Sequence, residues 1–188
     1  EKQSFVLENI TEKPVPSILR HFSAPVKLRT ELSNVELSFL MIHDNDGFNQ
    51  WESGQQLYLR MLMAMTDSVE NNQEPEACPR FLETIGTIIE KAAAPDADKA
   101  LMARILSLPS ISYIGQQRDL ADPPSIHQAH KAMQIAIKKN HRDQLEALYN
   151  ENRTPETFSI SPEAMGQRAL QNTVLSILTA NRGANCNL

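Results

Sequence analysis

A chain of 188 residues, 41% hydrophobic and 22% charged, is long enough for one domain, or one domain plus part of another, and for a core without disulfide staples. Its 18 Lys and Arg against 23 Asp and Glu leave a net charge of −5, which disfavours nucleic-acid binding, because that mode needs a cationic field to release counterions. No apolar run approaches the ~20 residues that cross a bilayer, so no membrane partner is expected.

In chain order, Glu1-Lys2-Gln3-Ser4 carries neither an initiator Met nor a secretory pattern, and the sequence reads as an excised piece. The first 30 residues hold short runs of β type, Phe5-Val6-Leu7, Val15 to Phe22 and Val26-Lys27-Leu28, interrupted by Pro14, Pro16 and Pro25. Proline confines such runs to edge strands or strand ends. Two or three broken strands cannot close a sheet alone, so this is a β-strand leader whose partners lie elsewhere.

From Ser33 onward the period is helical. Ser33-Asn34-Val35-Glu36 is a capping box, and Leu37, Leu40 and Met41 follow at helical spacing. A turn at Asp44-Asn45-Asp46-Gly47 leads into a long helix with Phe48, Trp51, Tyr58, Leu62 and Val69 as its buried stripe, ending near Asn71-Asn72. A third helix is expected to open near Pro75-Glu76, to bury Phe81, Leu82, Ile85, Ile88, Ile89 and Ala92, and to stop at Pro95. Asp96 is expected to cap a fourth with Leu101, Ile105 and Leu106 inward, ended by Pro109. Asp122-Pro123-Pro124 opens a fifth, since proline suits a first turn whose amides have no partner. Its stripe is Ile126, Ala129, Met133 and Ile137, with a break near Asn140-His141 before Leu145, Leu148 and Tyr149. Ser161-Pro162-Glu163 starts the last helix, with Leu170, Val174, Ile177 and Leu178 apolar. The pattern predicts a mainly α chain, an antiparallel helical bundle or solenoid segment, without a fixed-length repeat.

Chemistry is sparse in this sequence. Cys78 and Cys186 are too far apart for a metal knuckle and read as free thiols of a reducing compartment. His127 and His130 share one helix side, but zinc needs three or four ligands and no third stands at supporting spacing. His43-Asp44-Asn45-Asp46-Gly47 resembles the start of a calcium loop, yet the position needing a bidentate Glu is Ser53, so a helix-entry turn explains it better. No Gly-x-Ser-x-Gly elbow or phosphate-cradling glycine loop occurs. Met61-Leu62-Met63-Ala64-Met65 reads as core filler rather than an adaptable binding stripe. Trp51 reads as a helix anchor, and Lys138-Lys139-Asn140-His141-Arg142 as a solvated helix junction. No catalytic, cofactor-binding or metal residue is assigned to any position.

One long stretch adds a resemblance. Glu12-Lys13-Pro14-Val15-Pro16-Ser17-Ile18-Leu19-Arg20-His21-Phe22-Ser23-Ala24-Pro25-Val26-Lys27-Leu28 is similar to the segment joining the β-sandwich to the helical domain in the bacterial aminopeptidase N family. Phe5 to Ile10, Leu37 to His43, Phe48 to Gln55, Ala103 to Ser110, Leu145 to Asn150 and Arg168-Ala169-Leu170-Gln171-Asn172 continue the likeness over nearly the whole chain. The family is one of gluzincin zinc alanyl aminopeptidases, whose chemistry needs His-Glu-x-x-His, a downstream Glu and a Gly-x-Met-Glu-Asn strand. None of these motifs occurs here, and Val69-Glu70-Asn71 is no substitute.

The resemblance implies a non-catalytic fragment of such an enzyme. Residues 1–30 would be the last strands of an incomplete β-sandwich and linker, and residues 31–188 the first part of an α-superhelical domain that helps enclose the active-site cavity. It implies a cytoplasmic parent holding zinc in its catalytic domain, with none held by this chain. Partners would be the remaining domains of the parent, peptide substrates through its cavity, and further copies of the chain through cut surfaces. The alternative is a free-standing helical protein-interaction module without catalytic activity.

Overall fold

The computed structural model describes residues 6, 8–24, 26, 28–153 and 158–180. Among these, seven helices follow one another: α1 (Asn34–His43), α2 (Gly47–Glu70), α3 (Pro79–Ala93), α4 (Lys99–Leu106), α5 (Ile111–Gln116), α6 (Pro123–Glu151) and α7 (Pro162–Leu178). The mainly α architecture is the one expected.

The leader differs from its expected strands. No strand is formed among its described residues, and the run from Val15 ends in a 3-10 turn at Arg20–Phe22. A strand needs a neighbour that accepts its backbone hydrogen bonds, and helices whose amides are already paired do not supply one. Phe5, Leu7, Pro25 and Lys27 lie outside the described residues.

Helix starts follow local chemistry. Ser33 Oγ accepts from the Glu36 amide at 3.2 Å while Glu36 Oε2 accepts from the Ser33 amide at 2.8 Å, the reciprocal capping box. The third helix begins at Pro79, later than Pro75, because a proline at the first helical position lacks only an amide that would be unpaired anyway. Asp98 rather than Asp96 caps α4, accepting from the Leu101 amide at 3.0 Å. The short α5 was not anticipated; Ser110 caps it through the Tyr113 amide at 3.2 Å.

Two long helices carry the core. α2 packs against α1, α4, α5 and α6, while α6 packs against α2, α3, α5 and α7. The stripe of α2 runs through Leu57, Tyr58, Leu62, Met65 and Thr66, whereas Phe48 is exposed and Val69 half-buried. Met65 is buried, and Met61 and Met63 pack against the core, the filler role expected of that run. The expected stripe of α6, Ile126, Ala129, Met133 and Ile137, is buried throughout. α6 bends at His141, whose φ of −128° and ψ of 25° leave the helical region. There the His141 Nε2–H donates to the Leu82 carbonyl at 2.8 Å, tying the bend to α3.

Tyr58 is fully buried and meets Phe81 edge-on, with centroids 5.4 Å apart. Its hydroxyl has no partner among the described residues, and burial pushes its pKa upward. Since an unpaired buried hydroxyl costs about 1–3 kcal/mol, Tyr58→Phe should raise the urea midpoint of unfolding at unchanged slope. A lower midpoint would show that the hydroxyl is satisfied in solution.

Candidate functional site

Two features stand out on this scaffold, a groove and a polar clamp. The groove has a volume of about 960 Å3 and runs between α2, α4, α5 and α7. α4 turns Ala100, Ala103 and Arg104 towards it, at i, i+3 and i+4, and its C-cap Ser107 follows on the same side. Met165, Gly166 and Ala169 of α7 form the opposite wall, and Trp51 closes one end. Gly166 permits this approach: a Cβ there would stand 3.1 Å from the Ala100 backbone nitrogen. Gln55 Nε2 donates to the Ser107 carbonyl at 2.9 Å and so fixes the turn after α4.

Two of the groove's hydroxyls are engaged with backbone groups. Ser107 Oγ donates to the Ala103 carbonyl at 2.7 Å, and Ser110 Oγ is used as a helix cap. No histidine lines the groove, and its one carboxylate, Glu52, accepts from Gln56 Nε2 at 3.0 Å. Trp51, expected to anchor the second helix against the third, is half-buried, packs on the core and forms a wall of this groove beside α4 and α7. Arg104, Tyr113 and Met165 were not singled out from the sequence; the small residues Ala100, Ala103, Gly166 and Ala169 at helical spacing were the available signal.

The clamp joins the leader to the turn between α1 and α2. Arg20 Nη1 donates to Asp44 Oδ1 at 2.9 Å, and its Nη2 donates to Asn45. The His21 amide donates to Asp46 Oδ2 at 3.0 Å, while Asp46 Oδ1 caps α2 through the Asn49 amide at 3.0 Å. Asn49 Nδ2 in turn donates to Ser17 Oγ at 2.9 Å and to the Ile18 carbonyl at 3.1 Å. Both carboxylates are withdrawn from water, the Asp44 side chain completely. Leu19 and His21 hold φ of 58° and 55°, a left-handed backbone that costs non-glycine residues roughly 1–2 kcal/mol each. The contacts from Arg20 and His21 oppose that cost. The Asp44-Asn45-Asp46-Gly47 run is thus the helix-entry turn expected, with an arginine as its cation.

Both the clamp and the capping box should carry a pH signature. The Asn49 and His21 amides hold the Asp46 carboxyl below its usual 3.8, and the Ser33 amide and hydroxyl lower Glu36 from 4.5 to about 2. A depressed folded-state pKa stabilises above the unfolded value and loses that contribution as pH falls through the folded value. Urea midpoints should therefore fall between about pH 4.5 and pH 2, and the fall should be shallower in Asp46→Asn and Glu36→Gln.

The remaining histidines do not converge. His127 is exposed and His130 half-buried, and burial lowers the His130 pKa against an opposing hydrogen bond to the Pro109 carbonyl. Among the described residues no three His, Cys, Asp or Glu side chains cluster to hold a metal. Cys78 is exposed and free, and Cys186 lies outside the described residues. Lys138 donates to the Ala180 carbonyl and Arg142 pairs with Glu146 at 2.8 Å, as a helix junction would. No described helix is long and apolar enough to cross a membrane.

Comparison with known proteins gives this scaffold relatives. Aminopeptidase N of Caulobacter vibrioides is 33% identical over 174 residues, covering 93% of this chain and 20% of that protein. Aminopeptidase N of Escherichia coli is 30% identical over 177 residues, covering 94% of this chain and 20% of that protein. The chain therefore spans about one-fifth of the length of these relatives. The fold matches a crystal structure of Legionella pneumophila aminopeptidase A in complex with aspartic acid, with a TM-score of 0.74 at 22% identity, over 93% of this chain and 20% of that one. A family described as a domain of unknown function with an Ig-like fold (DUF3458) matches residues 1–31. Residues 34–187 match the one described as a domain of unknown function with ARM repeats (DUF3458_C). The chain belongs to this ARM-repeat family, DUF3458_C, and is similar to aminopeptidase N over more than nine-tenths of its length.

Proposed function

We propose that this chain is a non-catalytic part of a zinc-dependent aminopeptidase, a helical wall that helps enclose the cavity where peptides lose their N-terminal residue. The observation that carries the reading is the similarity to aminopeptidases N along almost the whole chain, on a scaffold whose described residues gather no metal-ligand set. In this reading residues 1–30 are the end of a β-sandwich and residues 31–188 the start of an α-superhelix. The zinc and the catalytic residues belong to another domain of a cytoplasmic parent. The helical region supplies shape: stacked amphipathic helices bury one another's apolar faces at about 25 cal/mol per Å2. Phe158, Ile160 and Met165, exposed at the start of α7, mark where an isolated copy would self-associate.

Metal analysis and alanyl-arylamide hydrolysis on the 188-residue chain test this directly. The expected result is neither stoichiometric zinc nor turnover. Bound zinc with turnover in this chain alone would overturn the proposal.

A further inference from the structure

The groove between α2, α4, α5 and α7 holds one charge of each sign that the fold itself does not use. At about 960 Å3 it stands at the upper end of the ~300–1,000 Å3 typical of small-molecule sites, with more room than a single amino acid fills. Among the described residues two charged side chains line it, Arg104 of α4 and Glu52 of α2. The Arg104 guanidinium makes no hydrogen bond or ion pair with any described residue. Glu52 Oε1 accepts from Gln56 Nε2 at 3.0 Å, which leaves Oε2 without a donor. Gln55 stands one turn on from Glu52, and because its Nε2 is held by the Ser107 carbonyl, its Oε1 is an open acceptor. Trp51, Leu108, Pro109 and Met165 supply apolar surface between these groups.

Donor and acceptors are thus divided between the walls, a guanidinium from α4 and two side-chain oxygens from α2. A guanidinium receives a carboxylate through two parallel hydrogen bonds. A carboxylate oxygen beside an amide oxygen suits an ammonium, which has three protons to donate and accepts none. A polyanion would find a single cation here and meet Glu52 as a like charge. A wholly apolar occupant would take both charges out of water without partners, which is costly. A zwitterion with apolar side chains meets every one of these groups with its complement.

We infer that this groove is a non-catalytic binding site for a short peptide with free termini. The peptide's carboxylate pairs with Arg104, its ammonium sits on Glu52 and Gln55, and its apolar side chains lie against Trp51, Leu108 and Met165. The inference stands on the groove and does not require the aminopeptidase reading.

The test uses the full natural polypeptide and the photoreactive tripeptide Ala-Ala-photoleucine, its first peptide bond N-methylated against hydrolysis, with adducts mapped by mass spectrometry. Saturable adducts within residues 100–113 and 162–173 are expected. Arg104→Met, or amidation of the probe's C-terminus, should raise the half-saturating concentration at least tenfold, and the two together should raise it no further. Glu52→Gln and acetylation of the probe's N-terminus should behave as a second such pair. Arg104 touches no described residue, so its replacement should leave the circular dichroism unchanged. Adducts only outside these segments, adducts that do not saturate, or a half-saturation unmoved by Arg104→Met would overturn the site. A value unmoved by Glu52→Gln would overturn the ammonium contact, and equal saturation by photoleucine alone would overturn the peptide in favour of a single amino acid. Saturable groove adducts on a polypeptide that hydrolyses no alanyl arylamide would remove the aminopeptidase reading and leave this site standing, and hydrolysis with an unlabelled groove would do the reverse.

Discussion

Replacing Ile137 by alanine should cost about 2–5 kcal/mol of folding stability, the range for truncating a fully buried aliphatic side chain. Ile137 is completely shielded within α6, the helix that packs against α2, α3, α5 and α7. A cavity there lies inside the main core cluster, where the surrounding side chains are themselves buried and packed. Ile137→Val should cost only about 0.5–1.5 kcal/mol, because it removes one methylene rather than three carbons. Urea denaturation followed by circular dichroism would read both. Equal, small losses from the two variants would mean that α6 is more loosely packed than its burial implies.

The second large effect is expected at Gly86. A Cβ at this position would stand 2.8 Å from His141 Cε1, closer than real side chains approach. The imidazole is held by the Leu82 carbonyl at 2.8 Å, so it cannot withdraw without breaking that hydrogen bond. Alanine is otherwise the better helix former by about 1 kcal/mol. Gly86→Ala should nonetheless lower stability by roughly 1–3 kcal/mol, the range for overpacking a filled site. In a His141→Ala background the sign should reverse, since the propensity gain then meets no obstacle. A double-mutant cycle isolates this coupling, and additive effects would contradict the account of the α6 bend.

The helical part of this fold was legible because apolar period, proline and capping residues agree. Ser33 with Glu36, Asp122 before Pro123, and Ser161 before Pro162 each mark a start that the structure keeps. Errors arose where two signals competed within a few residues. Asp96 and Asp98 are equivalent as letters, and only the turn linking the Ala94 carbonyl to the Ala97 amide places the second at the helix entry. Phe48 looked like core by its type, but it lies on the outer side of the first turn of α2, against Trp51 with ring centroids 5.6 Å apart. The clamp was invisible for a different reason: Arg20 and Asp44 lie 24 positions apart, and no local pattern joins them. The groove was hidden because its walls are small residues, which carry no chemical signature until two helices bring them together.

Function was legible as a likeness rather than as a site. The described residues show a scaffold with walls, caps and a clamp but no ligand set, and the sequence shows whose scaffold it resembles. The natural polypeptide containing these residues offers the decisive measurement, its hydrolysis of an alanyl arylamide before and after chelation. Turnover that chelation abolishes and added zinc restores is the result this account predicts. A polypeptide that folds, carries the whole of residues 1–188 and shows no such turnover would contradict it.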